Sequence, residues 1–163
     1  MIFAGFVLLY DPPKEGVIKV IEQLQKMNVK LKVITGDNQL VAAYVGRQVG
    51  LSDVNVITGA ELQKMSPEAL RHHVLKADIF AEIEPNQKEH IIHALRKARK
   101  VVAYMGDGIN DVAALHAADV GISMNNAVGV AKEAADVVLL EKNLDVIAAG
   151  IIEGRKTFNN TLK

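Results

Sequence analysis

Two aspartates and an asparagine stand among glycines in Met105-Gly106-Asp107-Gly108-Ile109-Asn110-Asp111, directly after an apolar run. These residue types suit a magnesium and phosphate site. Asp107 and Asp111 offer hard oxygen ligands, and Mg²⁺ is ordinarily held by one or two carboxylates together with waters and phosphate oxygens. Gly106 and Gly108 permit backbone angles and close approaches that a side chain forbids. The preceding run, residues 101–105, reads as a buried parallel strand, which puts the loop beyond a strand's carboxyl end, where open α/β sheets keep their ligands. A purely structural account makes Asn110 or Asp111 the N-cap of the next helix. That explains one of the three polar residues, but not two glycines and two aspartates.

Two further clusters point the same way. Thr35-Gly36-Asp37-Asn38 follows an apolar run and opens a helical pattern, so a hydroxyl and free backbone N–H groups would gather at a helix start, which attracts anions. Taken alone it also reads as a turn with Asp37 or Asn38 as N-cap. Lys88 lies on the same helical face as the stripe Ile91, Ile92, Leu95 and Ala98, so its ammonium either snorkels to solvent or meets an anion. One helix and one strand separate Lys88 from Asp107, so a βαβ unit can return both to one sheet edge. A hydroxyl with backbone donors, an ammonium and a carboxylate pair form the charge clamp that phosphoryl transfer needs.

The elements that must position these groups are legible as alternating patterns. Apolar runs at 2–9, 29–34, 54–57, 79–81, 101–105, 120–122 and 137–140 read as strands. Helical periodicity falls at 14–27, 39–49, 66–75, 87–98, 112–117, 128–134 and 144–157. Such alternation predicts an α/β fold with a mainly parallel sheet. Asp11-Pro12-Pro13 ends the first strand and starts a helix, with Asp11 available as its cap.

Composition sets the outer bounds. A chain of 163 residues has the size of one domain with a proper core. Basic and acidic residues balance at 19 each without long blocks of either sign, which leaves no electrostatic footprint for nucleic acid or an anionic membrane. The absence of cysteine excludes disulfides, thiolate metal sites and a cysteine nucleophile. No run approaches the roughly 18 apolar residues that span a bilayer, and the first ten residues lack a basic signal-peptide start, so the chain as given is expected to be soluble. Half the residues are hydrophobic but only 4% aromatic, so the core is expected to be aliphatic, as in helix-covered parallel sheets. His90-x-x-His93 could ligate a metal, or simply lie on a solvated helix face.

In order along the chain, Asp11-Pro12-Pro13-Lys14, Thr35-Gly36-Asp37-Asn38, Pro85 with Lys88, and Gly106-Asp107-Gly108-Ile109-Asn110-Asp111 resemble the P-type cation-transporting ATPases, most of all their magnesium-transporting branch. Asp119-Val120-Gly121-Ile122-Ser123, Lys132-Glu133-Ala134-Ala135-Asp136 and Glu153-Gly154-Arg155-Lys156-Thr157-Phe158 resemble the run that leads to the family's fifth transmembrane helix. The resemblance implies a haloacid-dehalogenase-like, Rossmannoid three-layer sandwich. Residues 1–163 would be one fragment of the cytoplasmic phosphorylation domain, following the nucleotide-binding insertion. It implies Mg²⁺ and ATP as cofactors of a parent pump at the cytoplasmic face of a membrane, with a transported cation as cargo. Thr35 and Gly36 would bind phosphoryl oxygens, Lys88 would neutralise charge there, and Asn110 would hydrogen-bond the phosphate. Asp107 would ligate Mg²⁺, Asp111 would support metal and site, and Asp37 would lie near the nucleotide.

The departures matter as much. The family's nucleophile sits in an Asp-Lys-Thr-Gly-Thr motif, which occurs nowhere in this chain, so the chain by itself is expected to be inactive. The segment bearing it normally forms the central strand, flanked by those ending at Thr35 and Met105. Either residues 2–9 fill that place, or an open edge pair is left to recruit another chain, by self-association for example. Glu82 stands where arginine or lysine is frequent and would weaken a nucleotide contact, and Ala113 stands where proline is usual. The competing functions are a free-standing phosphohydrolase of the same fold and a catalytically silent module that binds Mg²⁺ or a partner.

Overall fold

The computed structural model describes residues 5, 13, 16–51, 54–141 and 144–161. The expected strand at 2–9, the Asp11 cap and Lys14 therefore lie outside the described residues, apart from the single positions Gly5 and Pro13. Helix α1, Val17–Lys26, leads into strand β1, Val33–Ile34, and helix α2, Gln39–Gln48. Strand β2, Val56–Thr58, is followed by two helices, α3, Gly59–Gln63, and α4, Pro67–Lys76. Strand β3, Ile79–Ala81, then runs into α5, Pro85–Lys97. Strand β4, Ala103–Met105, precedes a 3₁₀ turn at Ile109–Asp111 and helix α6, Val112–Ala117. Strand β5, Val120–Met124, α7, Gly129–Glu133, β6, Val137–Leu139, and α8, Asp145–Thr161, complete the order.

The strands form two parallel three-stranded sheets, ordered β1-β3-β2 and β4-β5-β6. Register places Ile34 beside Phe80 and Ile57 beside Phe80 in the first, and Tyr104 beside Gly121 in the second. Among the described residues no ladder joins the sheets, and β1 and β4 each have a strand partner on one side. A single mainly parallel sheet was the expectation; the described strands are parallel throughout but divided.

One apolar cluster nevertheless spans both halves. Ile57, Phe80 and Ile83 of the first half and Val102, Tyr104 and Leu115 of the second belong to it, with Ile91, Ile92 and Leu95 of α5. The helical stripe read from sequence is thus the buried face of α5. Successive residues of β3 alternate between faces: Phe80 enters this cluster, while Ile79 and Ala81 pack with Ala42 of α2 on the other side. Helices therefore cover both faces of the first sheet, the three-layer arrangement. Outside Phe80 and Tyr104 the core is aliphatic.

Two boundaries differ from the sequence pattern for physical reasons. The strand expected at 29–34 is regular only at Val33–Ile34, because its lead-in serves neighbouring helix ends. Asn28 adopts φ 59° as α1 terminates, the Val29 amide returns to the Leu24 carbonyl at 2.9 Å, and Lys32 Nζ donates to the carbonyls of Leu75 and Ala77 at the end of α4. Helix α3 was not anticipated. It is nucleated by a capping box in which the Thr58 amide donates to Glu61 Oε2 at 2.8 Å and the Glu61 amide to Thr58 Oγ1 at 3.3 Å, a Thr-x-x-Glu signature present in the sequence.

Phe80 is fully buried where the two halves meet. Phe80→Ala is expected to cost about 3–5 kcal/mol, read as a lower urea midpoint in equilibrium unfolding followed by circular dichroism.

Candidate phosphate and cation site

The polar loops lie at the carboxyl ends of β1, β3 and β4. The loop after β4 is organised around one side chain, Asp111, which is buried. Its Oδ1 accepts from Lys88 Nζ at 2.8 Å and from the Tyr104 hydroxyl at 2.7 Å. Its Oδ2 accepts from the amides of Gly108 at 3.0 Å and Asp107 at 3.3 Å. An ionised carboxylate offers about four acceptor positions, and here all four are taken. Burial raises the Asp111 carboxyl, but the bonds from Lys88, Tyr104 and Gly108, with the Lys88 charge, outweigh it and hold the group below the usual carboxylate range. Burial also pushes the Tyr104 hydroxyl well up, helped by its bond to Asp111 and the charges of Asp111 and Asp107. It is therefore a proton donor at all ordinary pH.

This geometry refines the expected roles. Asp111 was expected to be a metal ligand as well as a support; with its lone pairs filled it is the loop's internal anchor. Asp107 is exposed, and its carboxylate makes no hydrogen bond or ion pair among the described residues. Asn110 is likewise exposed beside it. One free carboxylate on an ordered loop fits Mg²⁺, which completes its shell with water and phosphate oxygens. Among the described residues no group of three His, Cys, Asp or Glu could hold a metal unaided, and His93 bonds Glu89 at 3.2 Å on an exposed helix face rather than pairing with His90. Gly106 is required by contact: a Cβ there would lie 2.4 Å from Asp111 Cβ. Gly108, at φ −102°, holds a conformation open to any residue.

The turn after β1 is bonded to the loop after β3. The Ile83 amide donates to the Thr35 carbonyl at 3.0 Å and the Glu82 amide to the Asp37 carbonyl at 2.9 Å. Within the turn, Thr35 Oγ1 donates to Asp37 Oδ2 at 3.0 Å and accepts from the Asp37 amide at 3.1 Å. Asn38 is the N-cap of α2, accepting from the Leu40 amide at 2.9 Å. The expectation of free amides at this helix start needs correction. Glu82 Oε1 accepts from the Gln39 amide at 3.2 Å and from Asn38 Nδ2 at 3.0 Å, so an internal carboxylate already occupies it. Glu82 reaches it from φ 56°, a left-handed backbone that costs about 1–2 kcal/mol for a residue with a Cβ.

Thr35, Gly36 and Asp37 thus form one unit with Glu82, and Lys88, Asp107, Asn110 and Asp111 form another. No hydrogen bond or ion pair joins them directly among the described residues. They are linked through α5, which starts from the Glu82 loop and carries Lys88 to Asp111. Pro85 opens α5, the Glu84 amide donates to Gln87 Oε1 at 3.0 Å, and Gln87 Nε2 donates to the Gly59 carbonyl at 3.1 Å. Sequence reasoning missed Tyr104, though a tyrosine on the buried side of a strand needs a partner for its hydroxyl. Two clefts of about 490 Å³ each, one lined by Arg96, Arg99 and Val101 and the other by Lys30, Lys32 and Asp78, lie at the amino ends of the strands, away from these loops.

Parallel strands joined by helical crossovers, with polar loops at their carboxyl ends, make this an α/β fold, and the chain belongs to the haloacid dehalogenase-like hydrolase family, whose model matches residues 3–119. Its relatives among curated proteins are P-type ATPases. It is 45% identical to the "Magnesium-transporting ATPase, P-type 1" of Salmonella typhimurium over 100% of this chain and 18% of that protein. The protein of the same name from Escherichia coli K12 is 44% identical over the same shares. "Calcium-transporting ATPase type 2C member 2" of Rattus norvegicus is 37% identical over 97% of this chain and 17% of its own length. The chain spans about a fifth of the relatives it matches. A solved structure described as "Conformational changes in the catalytic domain of the CPx-ATPase CopB-B upon nucleotide binding" shares the fold, with TM-score 0.65 and 22% identity over 85% of this chain and 45% of that one. Among the described residues no helix is long and apolar enough to cross a membrane.

Two predictions follow from Asp111. Its folded value lies below its unfolded one, so its stabilisation is complete above roughly pH 4 and is lost as pH falls through the lower, folded value. Urea unfolding across pH 2–7 is expected to show that acid loss, and Asp111→Asn to be less stable at neutral pH by about 3–5 kcal/mol, since it breaks a largely buried pair, with a shallower acid limb. Gly106→Ala is expected to destabilise by about 1–3 kcal/mol through overpacking and to shift the Lys88 and Asp111 resonances in NMR spectra.

Proposed function

We propose that this chain is the portion of a P-type cation pump's phosphorylation domain that supplies the cation- and phosphate-binding residues for making and hydrolysing an aspartyl phosphate. The observation that carries the reading is the Lys88–Asp111–Tyr104 cluster beside a free Asp107 carboxylate. Asp111, held ionised and fully hydrogen-bonded, fixes the loop so that Asp107 meets solvent at the carboxyl end of β4. Mg²⁺ held by Asp107 would supply positive charge to phosphate oxygens. Lys88 donates one N–H hydrogen bond to Asp111 and has two N–H groups left for an anion, with Asn110 offering an amide from the same loop. Thr35 and Gly36 would provide the hydroxyl and an approachable backbone on the opposite wall, and Asp37 would lie toward the nucleotide. Gly36 is exposed and has room for a side chain, which suits a place that a ligand fills.

In this reading ATP and a transported cation belong to the parent protein, as do the nucleotide-binding domain and membrane helices, and the domain works at the cytoplasmic face. Identity of 45% to magnesium-transporting relatives against 37% to the calcium-transporting one favours the magnesium branch. The nucleophile is supplied by a strand outside residues 1–163, accommodated between β1 and β4, and its absence leaves this chain unable to turn over.

The test combines p-nitrophenyl phosphate hydrolysis in Mg²⁺ with Mg²⁺ calorimetry on wild type and Asp107→Asn. Expected are no turnover and Mg²⁺ binding that Asp107→Asn abolishes. Turnover removed by Asp107→Asn would instead make the chain a phosphohydrolase in its own right. A synthetic peptide containing Asp-Lys-Thr-Gly-Thr is expected to protect the β1 and β4 amides from hydrogen exchange; unchanged exchange would count against the missing-strand account.

A further inference from the structure

Tyr104 belongs to the Asp111 cluster but lies outside the glycine-rich motif, and the proposed function gives its hydroxyl no separate task. Its ring is 7% exposed, fixed in β4 beside Gly121, and its hydroxyl shares Asp111 Oδ1 with Lys88 at 2.7 Å against 2.8 Å. An oxygen with two lone pairs can direct an ammonium to either, or let it sit between them. With one lone pair taken by Tyr104, the more buried of the two donors, Lys88 is confined to the other. Lys88 makes no other hydrogen bond among the described residues, so its remaining two protons are free.

We propose that Tyr104 is a positioning residue: by occupying one lone pair of Asp111 Oδ1 it keeps the Lys88 ammonium forward, where it can meet a phosphate oxygen. Without the hydroxyl, Lys88 would settle deeper against Asp111 and spend more of its charge there. The cation-binding carboxylate, Asp107, belongs to the loop whose shape is set by Oδ2, which Tyr104 does not touch. Tyr104 should therefore affect anion binding and leave cation binding alone. The inference rests on the reading that Lys88 serves a phosphate.

Calorimetric titration of the 163-residue chain with Mg²⁺, and with inorganic phosphate in saturating Mg²⁺, tests it on wild type and Tyr104→Phe. Expected is a roughly three- to tenfold weaker phosphate affinity in Tyr104→Phe, the scale of one hydrogen bond, with Mg²⁺ affinity unchanged. Equal phosphate affinity in the two proteins, or equal losses for phosphate and Mg²⁺, would overturn the positioning role while leaving the site reading intact. Wild type that binds Mg²⁺ but no phosphate would overturn that reading, and this inference with it. A measurement on the unmutated protein covers a variant that fails to fold: the Tyr104 ring-carbon resonance in ¹³C-tyrosine-labelled chain is expected to move on adding phosphate to the Mg²⁺-saturated protein, and a fixed resonance under phosphate binding would refute the role.

Discussion

A buried carboxylate persists only where donors replace the water it has lost, and Asp111 meets that condition with four. The structure around the site can be understood as the means of delivering them. Strand β4 sets the tyrosine ring, α5 projects the lysine from another part of the chain, and the glycine-rich turn bends two amides inward. Gly106 exists in that turn because Asp111 folds back over it, leaving no volume for a Cβ. The consequence falls on its neighbour: because the internal anchor has no lone pair to spare, the carboxylate this loop leaves exposed and unbonded among the described residues is that of Asp107.

The two half-sheets depend on the same connection. Their strands share no ladder among the described residues, so their relative placement rests on the apolar cluster through Phe80, Leu115 and α5, on the Lys88–Asp111 pair above it, and on Arg96 of α5, which bonds Asp119 and the Ala117 carbonyl. Apolar burial is non-directional and tolerates small sliding. A short, charge-assisted bond does not. The helix carrying Lys88 is accordingly fixed at its start by Pro85 and the reciprocal Glu84–Gln87 bonds, and Gln87 ties it to Gly59 beyond β2. Placement of the ammonium is thus decided several residues before the ammonium itself.

Glu82 shows how a local departure changes a wall of the site. A helix start carries partial positive charge and unpaired amides, and in this chain a glutamate from the neighbouring loop takes one of them, the Gln39 amide, at the expense of a left-handed backbone. Sequence alone pointed only to a weakened nucleotide contact; in the structure Glu82 joins the turn after β1 to the loop after β3.

Periodicity and motif spacing were enough to recover the α/β class, the parallel strands, the buried stripe of α5 and the polar loops at the carboxyl ends of β1 and β4, because these depend on local alternation and on turn chemistry written in contiguous residues. The Thr58–Glu61 capping box was equally local and was overlooked only because the helix it starts is five residues long. What contiguous residues could not decide was partnership across the chain. Lys88 had a choice between solvent and an anion, and 23 residues of separation had to close before that anion proved to be Asp111. Tyr104 read as one more apolar strand residue until its hydroxyl had somewhere to point, and Glu82 became a cap only when a helix 43 residues away arrived beside it. Residue types determine which interactions are possible; the tertiary structure decides which donor reaches a given lone pair first, because a carboxylate has only four to fill.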